Sequence, residues 1–221
     1  WDMTPREAAA EQKRLRGRLR AEPIRPWPPQ YVAGVDASYG RGPERVCAGV
    51  ILFRLPEMRP VEQVWTVLDA AFPYVPGLLT WREGPAVVEA FRKLRRRPDA
   101  VLFDGQGRAH PRGMGLAAHL GLWLDLPTVG CAKSRLCGEA EEPGHFAGDQ
   151  TPLRLDGRTI GRVLRTRDHV RPLFISAGHL CTLRDAVRLT LHCCSGYRLP
   201  EPTRAAHRLV TELRNEYEGP S

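Results

Sequence analysis

Residues Val46–Arg54 read Val-Cys-Ala-Gly-Val-Ile-Leu-Phe-Arg, an apolar run broken only at its last position. A run so short and so continuous suits a strand covered on both faces, which requires a sheet with helices packed above and below it. Tyr31–Tyr39 and Gln63–Ala71 read as the neighbouring strands, and the short connections among the three suggest an antiparallel meander. Beyond them strands alternate with helices: a strand at Ala100–Phe103, a helix at Leu116–Leu124 and a strand at Thr128–Ala132. Asp156-Gly157 between Leu153–Leu155 and Thr159–Leu164 signals a hairpin. A last strand at Pro172–Ser176 leads into helices at Leu183–Cys194 and from Arg198–Pro202 to about Tyr217. At the other end, Thr4-Pro5-Arg6-Glu7 is a capping box that opens a basic helix to about Arg20, and Pro23–Pro29 is a stiff connector. Glu139–Gln150, polar and containing Gly and Pro, reads as a flexible excursion. The order predicts an α/β fold: a mixed sheet, part antiparallel meander and part parallel strands, with helices on both faces. Without internal repeats or low-complexity tracts, one domain over residues 1–221 is expected.

The 221 residues carry 33 basic and 25 acidic side chains, a formal charge of +8, which favours a polyanionic partner. Basicity alone does not separate nucleic acid from an anionic membrane surface. No apolar run approaches the roughly 18 residues of a membrane helix, so no membrane span is expected. None of the six cysteines forms a C-x-x-C pair and no histidine pair follows at finger spacing. Reduced core thiols in a cytoplasmic protein are therefore expected, with neither disulfides nor structural zinc. Lys133 is one of only three lysines in an Arg-rich chain, a hint that a compact ammonium is wanted there.

Three carboxylates stand out. Asp104 follows the apolar Ala100–Phe103 and precedes Gly105-Gln106-Gly107, so a short strand would deliver it to the sheet's edge, where α/β proteins bind ligands. A strand-ending Asp-Gly turn explains the same residues. Asp36 sits among Val32, Val35 and Ala37, and needs a partner, a cation or the strand's edge. Glu83 opens a helix, where Thr80-x-x-Glu83 also fits a capping box. Meeting in a basic protein, the three would form a nest for Mg²⁺, able to align water and neutralise a phosphodiester. Pro73-Tyr74-Val75-Pro76 is a rigid turn, either a loop with a half-buried Tyr74 or an aromatic wedge for a stack of bases. His207 flanks the apolar stripe Ala206, Leu209, Val210 and Leu213, as a boundary residue or a site residue. His179 reads as a cap for the helix after it. The arginines of the first helix read as a solvated face, with phosphate contact as the second reading.

The blocks Gly34-Val35-Asp36, Pro73–Leu79 with Arg82-Glu83, Asp104–Gly107 with Ala109–Arg112, Gly130–Lys133, Ser176–His179 and Tyr197–Arg204 resemble the endonuclease V family. These are inosine-directed nucleases of the ribonuclease H-like fold, and the resemblance runs from about Tyr31 to Val210. It implies a metal site of Asp36, Glu83 and Asp104, with His207 nearby and Lys133 close to the scissile phosphate. It also implies a strand-separating wedge at Pro73, Tyr74, Val75 and Pro76. The hypoxanthine pocket would be built around Gly77, Leu79, Gly105, His110, Leu116 and Gly130. The implied reaction nicks the second phosphodiester 3′ of the deaminated base, leaving 3′-hydroxyl and 5′-phosphate ends. Mg²⁺ is the implied cofactor, with Mn²⁺ able to substitute, and the implied partner is deoxyinosine-containing DNA in repair, with inosine-containing RNA as a second candidate. A monomer is expected. Gly113 departs from the pattern, since a second Arg is expected after His110-Pro111-Arg112. Two alternatives are the nuclease half of an excision-repair incision protein and a non-catalytic inosine-binding module. Three carboxylates beside a phosphate argue against the module.

Overall fold

A computed structural model describes residues 1–39 and 45–218. Its centre is an eight-stranded sheet in the order β3-β2-β1-β4-β5-β8-β7-β6. The meander is β1 (Tyr31–Tyr39), β2 (Arg45–Arg54) and β3 (Arg59–Asp69), all antiparallel. Next to β1 lie β4 (Ala100–Phe103) and β5 (Thr128–Ala132), both parallel to it. The parallel part ends there. The last strand, β8 (Leu173–Ala177), runs antiparallel to β5, and the hairpin β6 (Gln150–Leu155) and β7 (Arg158–Leu164) extends the sheet beyond it.

The alternation within β2 assigns the helices to faces. Val46, Ala48, Val50 and Leu52 pack with α2 (Leu79–Arg92) and α3 (Leu116–Leu124), while Cys47, Ile51 and Phe53 pack under α5 (Glu201–Glu218). The helix α4 (Leu183–His192) covers the same side as α5, over Leu102, Val129 and Ile175. Buried on both faces, β2 has the environment that its apolar run demands. A Cβ on Gly34 would lie 2.0 Å from the Pro202 carbonyl oxygen, so only glycine lets the start of α5 lie flat on β1.

Several local expectations are corrected. β3 starts at Arg59, because the edge pairing with β2 runs back to Arg54. No capping box forms at Thr80: α2 begins at Leu79 with Leu78 as its cap, so Thr80 and Glu83 lie buried in its first turns. His179 does not cap α4. Thr182 does, accepting from the Asp185 amide at 3.1 Å, while His179 is buried and accepts from the Arg20 amide. The capping box at Thr4 and Glu7 is present, and its helix α1 is Pro5–Arg16. Residues 142–144 of the polar excursion are tethered by the buried Arg165, which donates to the Pro143 and Gly144 carbonyls and to Glu142.

Candidate active site

Because β1 and β4 are parallel neighbours with Val35 opposite Phe103, the next residues, Asp36 and Asp104, emerge side by side. The ladder continues one step, the Asp104 amide donating to the Val35 carbonyl at 3.0 Å. Asp36 shares the face of Val32 and Gly34, beneath α5, and there it meets His207, with Nδ1 2.7 Å from Asp36 Oδ2. The other Asp36 oxygen accepts from the Ala37 amide. Asp36, Asp104 and His207 each offer a ligand atom within 4.8 Å of the others. At the end of β5, Lys133 Nζ lies 2.5 Å from Asp104 Oδ2. Glu83 lines the same cleft from α2, its Oε1 accepting from the Tyr39 hydroxyl at 3.1 Å. Parity explains that pair: Tyr39 points to the face opposite Asp36, the α2 face.

The electrostatics are those of crowded anions. Burial, then repulsion from Asp104, raises Asp36 to about 6, against the pull of His207 and Lys133. Burial, with Asp36 and Asp104 adding repulsion, raises Glu83 to about 8. Burial beside Glu83 also pushes the Tyr39 hydroxyl upward. Hard carboxylate oxygens held together at such a cost, with an imidazole at their edge, suit a divalent cation, which would take the place of the protons.

The carboxylates stand at one side of a cleft of about 480 Å³ that continues past Gly77, Leu79, Gly105, His110 and Leu116. Here one carbonyl organises the wall. Gly77 O accepts from His110 Nε2 at 2.9 Å, Arg112 Nη2 at 2.7 Å and Gln12 Nε2 at 3.0 Å. His110 Nδ1 accepts from the Arg112 amide, which assigns the proton to Nε2. Burial and the Arg112 charge lower His110 to about 4, so the ring is neutral at physiological pH. Gly130 does not line this cleft. It lies beneath the Gly105–Gly107 turn, where a Cβ would come 2.3 Å from the Gly107 amide, so its part is to let that turn sit flat on β5.

The Pro73–Pro76 loop rises between two buried anchors, Phe72 and Leu78, packed with Trp81 and Ala8. Arg82 Nη1 donates to the Phe72 carbonyl at 2.8 Å and fixes its base. At its tip Tyr74 is 59% exposed, edge-on to the Tyr39 ring at 6.2 Å. Gly113 has φ +68, a conformation that disfavours a side chain, and a Cβ there would lie 3.0 Å from Arg16 Nε, so a cation from α1 already covers the turn.

Sequence reasoning missed Gln12, Tyr39 and the clamp role of Arg82. Strand parity could have found Tyr39. Nothing local marks Gln12, whose partners Gly77 and Met114 are distant in the chain.

The endonuclease V family model matches residues 13–208. The chain belongs to the endonuclease V family. It is a nuclease that hydrolyses phosphodiester bonds. The endonuclease V of Geotalea uraniireducens is 45% identical over 96% of this chain and 89% of its own length. The crystal structure of the Streptomyces avermitilis endonuclease V, 39% identical, superposes with a TM-score of 0.94 over 99% of this chain and 96% of that one. The endonuclease V of Ciona intestinalis, solved in complex with a 24mer DNA containing an inosine followed by a ribo-adenosine, is 25% identical. It superposes with a TM-score of 0.84 over 96% of this chain and 98% of that one. The fold is ribonuclease H-like, and neither alternative family reading is favoured. Among the described residues, no helix is long and apolar enough to cross a membrane.

Proposed function

We propose that this endonuclease V opens DNA at deaminated adenine, cutting the second phosphodiester 3′ of the inosine and leaving 3′-hydroxyl and 5′-phosphate ends. The carrying observation is that one cleft joins the Asp36–Asp104–His207 cluster to a small-residue cavity walled by Gly77, Gly105 and His110. Asp36, Asp104 and Glu83 are the residues to hold Mg²⁺ or Mn²⁺, with His207 beside them. Bound there, the ion supplies charge neutralisation and activation of water. The Asp36 hydrogen bond orients the His207 ring, which can accept a proton from the attacking water or return one to the leaving oxygen. Lys133, held against Asp104, offers its ammonium to a phosphate oxygen. Tyr74 would fill the stack vacated by the flipped base.

Hypoxanthine differs from adenine in presenting an acceptor at position 6 and a ring N–H, and from guanine in lacking the 2-amino group. The Gly105 amide is already given to Phe103 O, and Gly77 O is taken by three donors. The amides of Gly77, Leu79, Gln106 and Leu116, without partners among the described residues, are then the donors available to read the oxygen.

The test uses matched labelled DNA and RNA strands carrying one inosine, with Mg²⁺, Mn²⁺ or EDTA. The expected result is a single metal-dependent nick in DNA at the second bond 3′ of inosine. Absence of that nick overturns the reading, and faster cutting of RNA reassigns the substrate.

A further inference from the structure

A second cleft adjoins the first, with His110 in the lining of both. Its volume is about 710 Å³, within the roughly 300–1,000 Å³ common to ligand sites. It is walled by Arg16 at the end of α1, Arg108 after β4 and Arg158 at the β6–β7 turn, with apolar surface from Leu19 and Ile160. Among the described residues, Asp156 is the one acid in its lining. Some arginines elsewhere are paired, Arg14 with Glu11, Arg165 with Glu142 and Arg204 with Glu201; what sets this cleft apart is that three arginines converge on one space. Among the described residues, Arg16, Arg108 and Arg158 have no acidic partner within ion-pair distance. Arg108 is built into the floor, giving Nε to Gly178 O at 2.9 Å and Nη2 to Arg20 O at 2.7 Å. Arg16 lies over the Gly113 turn.

We infer that this cleft binds the sugar-phosphate backbone of the damaged strand on the 5′ side of the inosine. The direction rests on the reading above. A cut 3′ of the lesion assigns the Asp36–Asp104 side of the main cleft to the 3′ segment. The base enters between Gly105, Leu116 and His110, so the space beyond His110 receives the 5′ segment. Unpaired guanidinium groups suit phosphates, and apolar walls suit sugars or bases without selecting a sequence.

The experiment measures binding by fluorescence anisotropy in EDTA, using single-stranded DNA with inosine and a fixed 3′ flank. One strand carries a long 5′ flank and the other begins at the inosine. The proteins are the wild type and Arg16→Gln/Arg158→Gln, which keeps side-chain bulk at two exposed positions. The wild type should bind the long-flank strand more tightly. The variant should lose about tenfold or more on that strand, with a salt dependence shallower by about 1.4, and keep its affinity for the truncated one. Equal wild-type affinity for the two strands, or equal loss by the variant on both, overturns the inference. Parallel incubation with Mg²⁺ separates the two ideas, because failure of the wild type to nick overturns the nuclease specificity without deciding the flank effect.

Discussion

His110 Nε2 lies 2.9 Å from the carbonyl oxygen of Gly77, and this bond joins the turn after β4 to the foot of the Tyr74 loop. Nε2 donates to Gly77 O in either charge state, and because the ring is neutral down to about pH 4, Nδ1 also keeps accepting from the Arg112 amide. His110→Gln keeps a donor near Nε2, whereas His110→Ala leaves Gly77 O to Arg112 and Gln12 alone. The alanine variant should raise KM for inosine strands by roughly 2- to 10-fold, the scale of about 0.5–1.5 kcal/mol for one lost hydrogen bond to a carbonyl that keeps two donors. The glutamine variant should recover most of it. Steady-state kinetics on one strand decides, and equal KM for both variants would make the ring's bulk, not its bond, the relevant feature.

Gly105 presents open space toward the cleft, and a Cβ there would meet Leu116 at 3.4 Å, an ordinary contact. Gly105→Ala should therefore fold normally, with a Tm within a few degrees of the parent, and narrow the cavity where the base would sit. A selective loss of inosine cleavage with unchanged thermal stability is expected. Full cleavage would remove Gly105 from the base pocket.

Asp104→Ala should abolish Mg²⁺-dependent cleavage while inosine strands still bind. The substitution removes a carboxylate next to phosphate, along with its repulsion, and leaves the cavity wall intact. Lys133 loses its ion pair and becomes free for phosphate, which favours binding further. Cleavage and anisotropy are measured on the same preparation. A rate within about tenfold of the parent would exclude Asp104 from the metal site.

Tyr74 is free to stack, being 59% exposed. Tyr74→Ala should impair duplex substrates more than single strands, since only the duplex must be opened. At about 1–3 kcal/mol per stacked base, the differential loss is roughly 5- to 150-fold. Equal losses on both substrates would assign the ring a purely structural part.

Glu83, raised from 4.5 to about 8, holds a proton in the folded state that the unfolded chain has released. The folded protein therefore binds more protons between those values, and stability must fall as pH rises through that window and level off above it. Asp36 adds to the fall between 3.8 and about 6. Calorimetry in EDTA should show Tm dropping from pH 5 to pH 8. Glu83→Gln, which does not titrate, should flatten that drop, and Mg²⁺ should do the same in the parent by replacing the protons. An unchanged slope in the variant would refute the assignment.

Local pattern determined much of this protein. The continuous apolar run at Val46–Arg54 demanded a sheet covered on both faces, Asp156-Gly157 marked the hairpin, and Thr4 with Glu7 capped α1. Asp36 was visible because an acid among apolar neighbours needs a reason, and Asp104 because an apolar strand delivers it to the sheet's edge. Sequence alone left open what Glu83 does, since a capping box and a buried cluster use the same letters. Register decided it, by setting the start of α2 at Leu79 and placing the residue inside. Two further relationships depended on approach rather than pattern: glycine at 34 let α5 close on β1 so that His207 reached Asp36, 171 residues away. The meeting of Gln12, His110 and Arg112 on one carbonyl, and the unpaired arginines around the second cleft, arise where separate elements converge. Periodicity records which face of an element is buried, but the partner on that face is chosen by packing between elements far apart in the chain.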